Sequence, residues 1–114
     1  MPATNDTSDK MKYGLKESII KGIQEVFSKF PQVDSVILYG SRAKGNFKNG
    51  SDIDLTIKGE ELDLSTLNKI SIKLDDLYLP YTFDLSLYRH IDNTDLLEHI
   101  NRVGIEFYRN EGTI

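Results

Sequence analysis

Two aspartates, Asp52 and Asp54, stand in an otherwise apolar segment with one residue between them. Residues two apart in a β-strand point to the same face, so both carboxylates lie side by side while Ile53 and Leu55 face the other way. Aspartate is a poor strand former and neighbouring like charges repel, so the pair does not serve stability. Carboxylate oxygens suit hard divalent cations such as Mg²⁺. The pair therefore predicts a metal site, with a solvated polar strand face as the alternative.

A basic loop punctuated by glycine lies directly before this pair. The apolar residues 36–39 predict a buried strand, which ends at Gly40-Ser41, where the backbone must turn. Glycine lets a ligand approach bare backbone closely, and free N–H groups with positive side chains suit phosphate. The alternative is a plain strand-ending turn followed by solvated basic residues. The candidate phosphate-binding residues are Gly40, Ser41, Arg42, Lys44 and Ser51, with Lys48 as a further basic residue of the loop.

The two features together carry a family resemblance. The chain resembles the polymerase-β-like nucleotidyltransferase superfamily in the string Gly40-Ser41, ten residues, then Asp52-Ile53-Asp54-Leu55. It resembles the minimal bacterial branch of that superfamily in the longer string GSRAKG…SDIDL. Members of that branch are short and are often encoded beside a helical partner of the HEPN type. The resemblance implies an α/β (α+β) fold of the polymerase-β palm type, a small mixed sheet of three core strands in sequence order, with helices packed mainly on one face.

The resemblance also assigns a third acid and a substrate. Asp84 repeats the pattern of Asp54, as one acid inside an otherwise apolar strand. In the family, a carboxylate on the strand next to the paired acids completes the metal site, and this role passes to Asp84. The alternative is an aspartate exposed at the sheet edge. The implied site binds ATP as substrate with two Mg²⁺ ions, for which Mn²⁺ can substitute, and the metal ligands are Asp52, Asp54 and Asp84.

The hydrophobic periodicity predicts the elements that position these residues. Polar residues without periodicity predict a flexible tail over 1–12, followed by a single nucleotidyltransferase domain over 13–114. The predicted elements are a helix over 15–30, a strand over 33–39, a helical turn over 41–44, a strand over 52–58, a helix over 64–78 capped by Asp63, a strand over 81–88, and a last helix capped by Asn93 whose apolar face runs to Phe107.

Composition bounds the function further. The net charge of −4 argues against general nucleic-acid binding through a basic surface, and the absence of cysteine excludes disulfides and thiolate metal sites. No stretch has membrane-spanning length and no signal-peptide pattern opens the sequence, so we expect a cytoplasmic protein without a membrane partner. His90 and His99 are lone histidines without a ligand-spaced partner and are interpreted as surface or capping groups.

Three functions of different classes follow from the resemblance. The first is an antitoxin that transfers AMP from ATP to a hydroxyl of a HEPN-type partner protein, most simply a tyrosine. The second is a nucleotidyltransferase acting on a small molecule such as an aminoglycoside, although such enzymes usually carry an extra helical domain. The third is a subunit that neutralises a partner by contact alone. The first is favoured, because all three acids are present and 114 residues leave no room for an acceptor-binding domain.

Overall fold

The computed structural model describes residues 10–112, which form six strands, four α-helices and one 3-10 turn. None of the helices in this part of the chain is long and apolar enough to span a membrane. In chain order the elements are β1 (Met11–Lys12), β2 (Leu15–Lys16), α1 (Glu17–Ser28), β3 (Ser35–Tyr39), α2 (Gly40–Lys44), β4 (Ile53–Lys58), α3 (Leu64–Asp75), β5 (Phe83–Leu87), the 3-10 turn (Tyr88–His90), α4 (Thr94–Val103) and β6 (Ile105–Arg109).

Strands β3 to β6 form one mixed sheet in the order β5-β4-β3-β6. Strand β3 is antiparallel to both β4 and β6, whereas β4 and β5 are parallel. The register pairs Tyr39 with Asp54 and Asp54 with Asp84, so these three residues form one row across the sheet. The prediction of a mixed sheet whose three core strands follow sequence order is confirmed, and the sheet gains a fourth strand, β6.

One face of the sheet carries the main hydrophobic core. Val36 and Leu38 of β3 and the alternating residues Ile53, Leu55 and Ile57 of β4 are buried there. Helices α1 and α3 cover this face with apolar side chains that recur at helical spacing, which is why these segments form amphipathic helices. The buried helical residues are Ile20, Ile23, Val26 and Phe27 on α1 and Ile70 and Leu74 on α3. This arrangement leaves the acid-bearing face of the sheet outside the main core.

Helix α4 packs on the acid-bearing face, at the β3 side of the sheet. Ile37 points opposite to Val36 and Leu38, and a Cβ built on Gly104, just after α4, would lie 2.7 Å from the Ile37 Cγ2 atom. Ile100 of α4 is buried but lies outside the main core cluster. The prediction that helices pack mainly on one face is therefore confirmed by α1 and α3, with α4 as the exception.

The prediction that the last helix extends to Phe107 is wrong. Helix α4 stops at Val103, and Phe107 belongs to β6, an edge strand that pairs with β3 through a bulge between Val36 and Ile37. Ile100, Val103 and Phe107 fit helical spacing, yet Phe107 packs into the main core from a strand. Residues Ile105–Arg109 form a strand because they pair with β3, which is distant in the chain. The local hydrophobic pattern does not indicate this pairing.

The prediction that the first helix begins at Leu15 is also wrong. Leu15–Lys16 pairs with Met11–Lys12 in a short hairpin, so α1 begins only at Glu17. The turn between the two strands uses positive φ angles of 58° at Tyr13 and 75° at Gly14. Regular structure therefore begins inside the segment predicted as a tail, whose first nine residues lie outside the described part of the chain.

Both predicted side-chain caps are confirmed. The Asp63 carboxylate accepts a hydrogen bond from the Thr66 amide at 2.8 Å, and the Asn93 side chain accepts one from the Leu96 amide at 3.0 Å. Each satisfies an amide that has no partner within its helix. Helix α3 ends at Asp75, three residues before the predicted end, and the chain is left-handed at Tyr78 with φ 53°. The strands β3, β4 and β5 are each one to three residues shorter than predicted.

Candidate active site

Three carboxylates meet on the sheet face opposite the main core. Asp54 on β4 and Asp84 on β5 are directly paired in the parallel register, and Asp52 immediately precedes β4. Alternation along β4 turns its apolar residues into the core and its acids outward. Asp52 and Asp84 are exposed, whereas Asp54 is half-buried. The structure thus places the three acids near one another on one sheet face, and their role as metal ligands stays a prediction.

The electrostatics of Asp54 indicate negative charge that lacks compensation. Burial, followed by the negative charges of Asp84 and Asp52, raises the pKa of the Asp54 carboxyl from 3.8 to about 6, while the Arg42 cation lowers it. A carboxylate cluster with this property is stabilised by an added cation. The donor set, which consists of carboxylate oxygens, fits Mg²⁺ or Mn²⁺.

The side-chain positions do not yet form a closed metal cage. Within residues 10–112, no group of three or more acidic, histidine or cysteine side chains converges closely enough to hold one ion in the rotamers present. The backbone nevertheless places Asp54 and Asp84 at paired positions of adjacent strands and Asp52 just before β4. Metal binding by these three acids stays a prediction.

Gly40 lies directly over Asp54. Its φ is +77°, and a Cβ built on it would overlap the Oδ2 atom of the Asp54 carboxylate. The left-handed backbone and the absent side chain are therefore both required where strand β3 turns into α2. Glycine at this position lets the turn approach the carboxylate cluster, which is the arrangement predicted for bare backbone beside a triphosphate.

The remaining predicted phosphate ligands lie along α2 and the following loop. Ser41 is half-buried in the first turn of α2, and its carbonyl accepts hydrogen bonds from the Gly45 and Asn46 amides at 2.9 Å and 3.2 Å. Lys44 and Lys48 are exposed, and the Ser51 hydroxyl accepts a hydrogen bond from the Lys48 amide at 2.9 Å. The Ser51 side chain thus bonds within its own loop. The contacts of these residues with phosphate stay predictions.

Arg42 is buried and bonded to backbone carbonyls, and its contact with phosphate stays a prediction. Its side chain is buried, with 2% of its surface exposed, and it donates to the Ser51 carbonyl at 3.1 Å and 2.9 Å and to the Tyr13 carbonyl at 2.9 Å. The guanidinium lies 5.2 Å from the Phe47 ring centroid and 5.0 Å from that of Tyr81. We therefore assign Arg42 a structural role, in which it joins the hairpin to the segment that leads into β4.

Replacing Arg42 by methionine is expected to lower the free energy of unfolding by about 2–4 kcal/mol, because buried carbonyls lose their donors and two rings lose a packed cation. Lys44→Met is the matched control, since Lys44 is an exposed basic residue of the same helix and its loss should change stability by less than about 0.5 kcal/mol. Urea denaturation of both variants measures the difference. Equal stabilities would contradict the structural role of Arg42.

Two residues without a predicted role in the site contact it. They are Tyr39 and His99, and His99, interpreted from the sequence as a surface or capping group, is half-buried against the Gly40 turn. Burial raises the pKa of the Tyr39 phenol and the charges of Asp84 and Asp54 add to this, while a hydrogen bond with the Ser86 side chain opposes it. The phenol therefore stays neutral beside the carboxylates. His99 of α4 accepts a hydrogen bond from the Gly40 amide at its Nε2 atom, at 3.2 Å. No spacing in the sequence relates His99 to a turn that lies 59 residues earlier.

The chain is similar to one curated protein and to several solved structures. A curated protein of Methanocaldococcus jannaschii, named "Putative protein adenylyltransferase", is 26% identical over 83 residues, which covers 66% of this chain and 79% of the relative. A crystal structure described as a toxin–antitoxin pair with AMP-PNP superposes with a TM-score of 0.66 at 21% identity, covering 81% of this chain and 74% of the other. A structure of a tri-AMPylated Shewanella oneidensis HEPN toxin with its MNT antitoxin gives 0.61 at 18% identity, covering 83% and 73%.

The structural likenesses show the fold, which is that predicted from the sequence. The family itself is shown by a sequence model described as "Polymerase beta, Nucleotidyltransferase", which matches residues 21–112 and so includes the whole carboxylate face, the Gly40 turn and α4. This match confirms the resemblance drawn from the Gly-Ser turn and the paired acids. The chain belongs to the polymerase β nucleotidyltransferase family, and it is a nucleotidyltransferase.

Proposed function

We propose that this chain is the antitoxin of a toxin–antitoxin pair and that it transfers AMP from ATP to a hydroxyl of a HEPN-type partner protein. The observation that carries the proposal is the pairing of Asp54, beneath the Gly40 turn, with Asp84, where burial and then the neighbouring negative charges raise the pKa of Asp54 to about 6. Such a cluster suits nucleotidyl transfer, in which a cation must join acidic side chains to a triphosphate.

The carboxylates would hold two Mg²⁺ ions, with Asp52 and Asp54 as ligands of the ion that grips the triphosphate and all three acids around the second. When bound, Mg²⁺ neutralises charge on the triphosphate and lowers the pKa of the acceptor hydroxyl. Gly40 and Ser41 would border the phosphates, where a bare backbone permits close approach. Positioning and electrostatic stabilisation would supply most of the rate enhancement.

The proton of the acceptor hydroxyl would pass to Asp84. Asp84 lies on β5 at the edge of the sheet and is exposed, whereas Asp54 is half-buried beneath Gly40. As the acceptor oxygen forms a bond to the α-phosphorus, the bond from that phosphorus to the oxygen bridging the α- and β-phosphates breaks. Pyrophosphate leaves, AMP stays on the acceptor, and Asp84 acts as the general base.

The acceptor would approach from the β5 edge. A trough of about 320 Å³ lies at this edge, between α3 and β5, and is open to solvent. It is lined by Leu67, Asn68, Ser71, Phe83, Asp84 and Leu85. A trough of this kind leaves room for a side chain presented by another protein, and a tyrosine is long enough to reach across it. The AMPylated HEPN toxin that a structural neighbour contains supports this class of acceptor by analogy.

The test mixes the chain with a HEPN-type protein, in Mg²⁺ and ATP labelled on either the α- or the γ-phosphate. We expect label in the partner only from the α position, with loss of transfer on chelation and in Asp84→Asn. Asp92→Asn is the control, since Asp92 is an exposed acid in the loop before α4. Transfer of γ-label would mean kinase chemistry, and a neutralised toxin without any transfer would mean inhibition by contact.

A further inference from the structure

His99 contacts two consecutive residues of the turn that leads into α2. Its Nε2 atom accepts a hydrogen bond from the Gly40 amide at 3.2 Å, and its ring stands edge-on to the Tyr39 ring at a centroid distance of 6.2 Å and an angle of 80°. The side chain is half-buried and belongs to α4, which follows the turn by 59 residues. One side chain from a distant helix therefore holds both the backbone and the preceding ring of this turn.

The hydrogen bond gives a partner to an amide that its own helix leaves unpaired. Gly40 is the first residue of α2, and the first amides of a helix have no acceptor within that helix. Because the Gly40 amide donates, the Nε2 atom must present its lone pair, which assigns the ring proton to Nδ1. The Gly40 amide therefore already has an acceptor. Gly40 contributes to the site through its missing side chain rather than by donating a hydrogen bond to phosphate.

His99 is itself held firmly on the sheet. The next residue, Ile100, is buried against the acid-bearing face, and the side chain of Asn101 accepts a hydrogen bond from the Tyr88 hydroxyl at 3.2 Å. Tyr88 directly follows β5, the strand that carries Asp84. Helix α4 thus joins the turn over Asp54 to the strand that bears the third acid, and His99 is the residue that reaches the turn.

We propose that His99 is a positioning residue, which holds the Gly40-Ser41 turn at the distance from Asp54 that triphosphate binding requires. The separation is tight, because a single carbon atom added to Gly40 would overlap the Asp54 carboxylate. Without an acceptor for its amide, the turn would rotate that amide toward solvent and change its position over Asp54. This inference rests on the proposed use of the turn for phosphate.

Three substitutions separate the hydrogen bond from the packing of the ring. His99→Gln can place a side-chain oxygen where Nε2 lies, His99→Asn reaches only the position of Nδ1, and His99→Phe keeps the ring against Tyr39 but removes the acceptor. We expect His99→Gln to retain the KM for ATP within about twofold. His99→Asn and His99→Phe should raise it roughly tenfold with little change in kcat, since the loss of one hydrogen bond weakens ground-state and transition-state binding alike.

A second measurement does not depend on transfer at all. Amide hydrogen exchange by NMR, in the protein without nucleotide, should show the Gly40 amide protected in the parent protein and in His99→Gln. It should exchange roughly tenfold faster in His99→Asn and His99→Phe. Because this measurement needs neither ATP nor an acceptor, its outcome is independent of the proposed function.

Two outcomes would overturn the proposal. If His99→Gln behaves like His99→Phe in both the KM for ATP and the exchange of the Gly40 amide, the acceptor at Nε2 is not what matters. If the three variants lower the midpoint of thermal unfolding equally while the KM for ATP and the exchange of Gly40 stay unchanged, His99 is only a packing residue of α4.

Discussion

Replacing Asp52 and Asp54 together by asparagine should abolish nucleotidyl transfer and leave a folded protein that is more stable than the parent at neutral pH. Activity is lost because amides replace the anionic ligands on which cation binding depends. Stability rises because the pKa of Asp54 is raised to about 6 by burial and by its acidic neighbours, so its ionised form disfavours the folded state. The gain should be about 1–2 kcal/mol, allowing for the solvent screening of a partly exposed group.

The pH dependence of this gain has a defined sign. The pKa of Asp54 is higher in the folded protein than its ordinary value of 3.8, so between about pH 4 and pH 6 the folded state binds more protons than the unfolded chain. The free energy of unfolding of the parent protein therefore falls as pH rises through this window. The free energy of unfolding of the double variant does not fall in this way. The variant should therefore exceed the parent protein in stability by the full amount at pH 7–8 and by nothing near pH 4.

Urea denaturation at these pH values measures the gain, and Asp92→Asn, a change of a single exposed acid, should show none of it.

Thermal unfolding with ATP tests whether the same acids are needed for nucleotide binding. In the parent protein ATP with Mg²⁺ should stabilise the fold by about 2.7 kcal/mol at a hundredfold excess over Kd, and chelation or the double substitution should remove the effect. Unfolding of the double variant would show that the acids are structural, and equal shifts with and without metal would exclude the two-metal arrangement.

Gly40→Ala should reduce transfer by at least about a hundredfold, because the added methyl group displaces the Asp54 carboxylate from its place beneath the turn. The backbone contributes a separate cost of about 1–2 kcal/mol in the free energy of unfolding, since φ at this position is +77°. The steady-state rate of AMP transfer and the urea midpoint measure the two effects independently.

Gly45 supplies a matched control for this substitution. Its φ is +87°, yet a Cβ built on it meets nothing within 4 Å. Gly45→Ala should therefore show the same backbone cost as Gly40→Ala while transfer stays within about twofold of the parent protein. If Gly45→Ala loses transfer as strongly as Gly40→Ala, strain in α2 rather than overlap with Asp54 explains the effect.

Local patterns predicted most of the elements correctly. The alternation of acids and hydrocarbons placed Asp54 and Asp84 on strands with their side chains away from the core, and Asp63 and Asn93 cap the helices as expected. These features depend on neighbours within a few residues, through strand periodicity and through side-chain bonds to the first amides of a helix. The family signature belongs to the same class of information, because it lies within one short stretch.

The two segments whose structure was predicted wrongly have different causes, one a pairing with a distant strand and the other a local hairpin. Ile105–Arg109 becomes a strand because β3 offers it an edge, and Met11–Lys12 pairs with Leu15–Lys16 through a left-handed turn at Tyr13 and Gly14. The basic residues after the Gly-Ser turn predict Arg42 as a phosphate ligand, and that role stays a prediction. The burial of Arg42 became visible only when the Ser51 and Tyr13 carbonyls came within hydrogen-bonding distance.

The sequence by itself determined the family and the strand face on which Asp54 and Asp84 lie, because motif spacing and two-residue periodicity specify these without knowledge of the fold. Only the tertiary structure decided that Asp54 and Asp84 are in register, that Gly40 lies against Asp54, and that His99 accepts the Gly40 amide. The physical reason is that hydrogen bonds and steric contacts between residues far apart in the chain depend on strand order and helix placement. A single sequence does not report either.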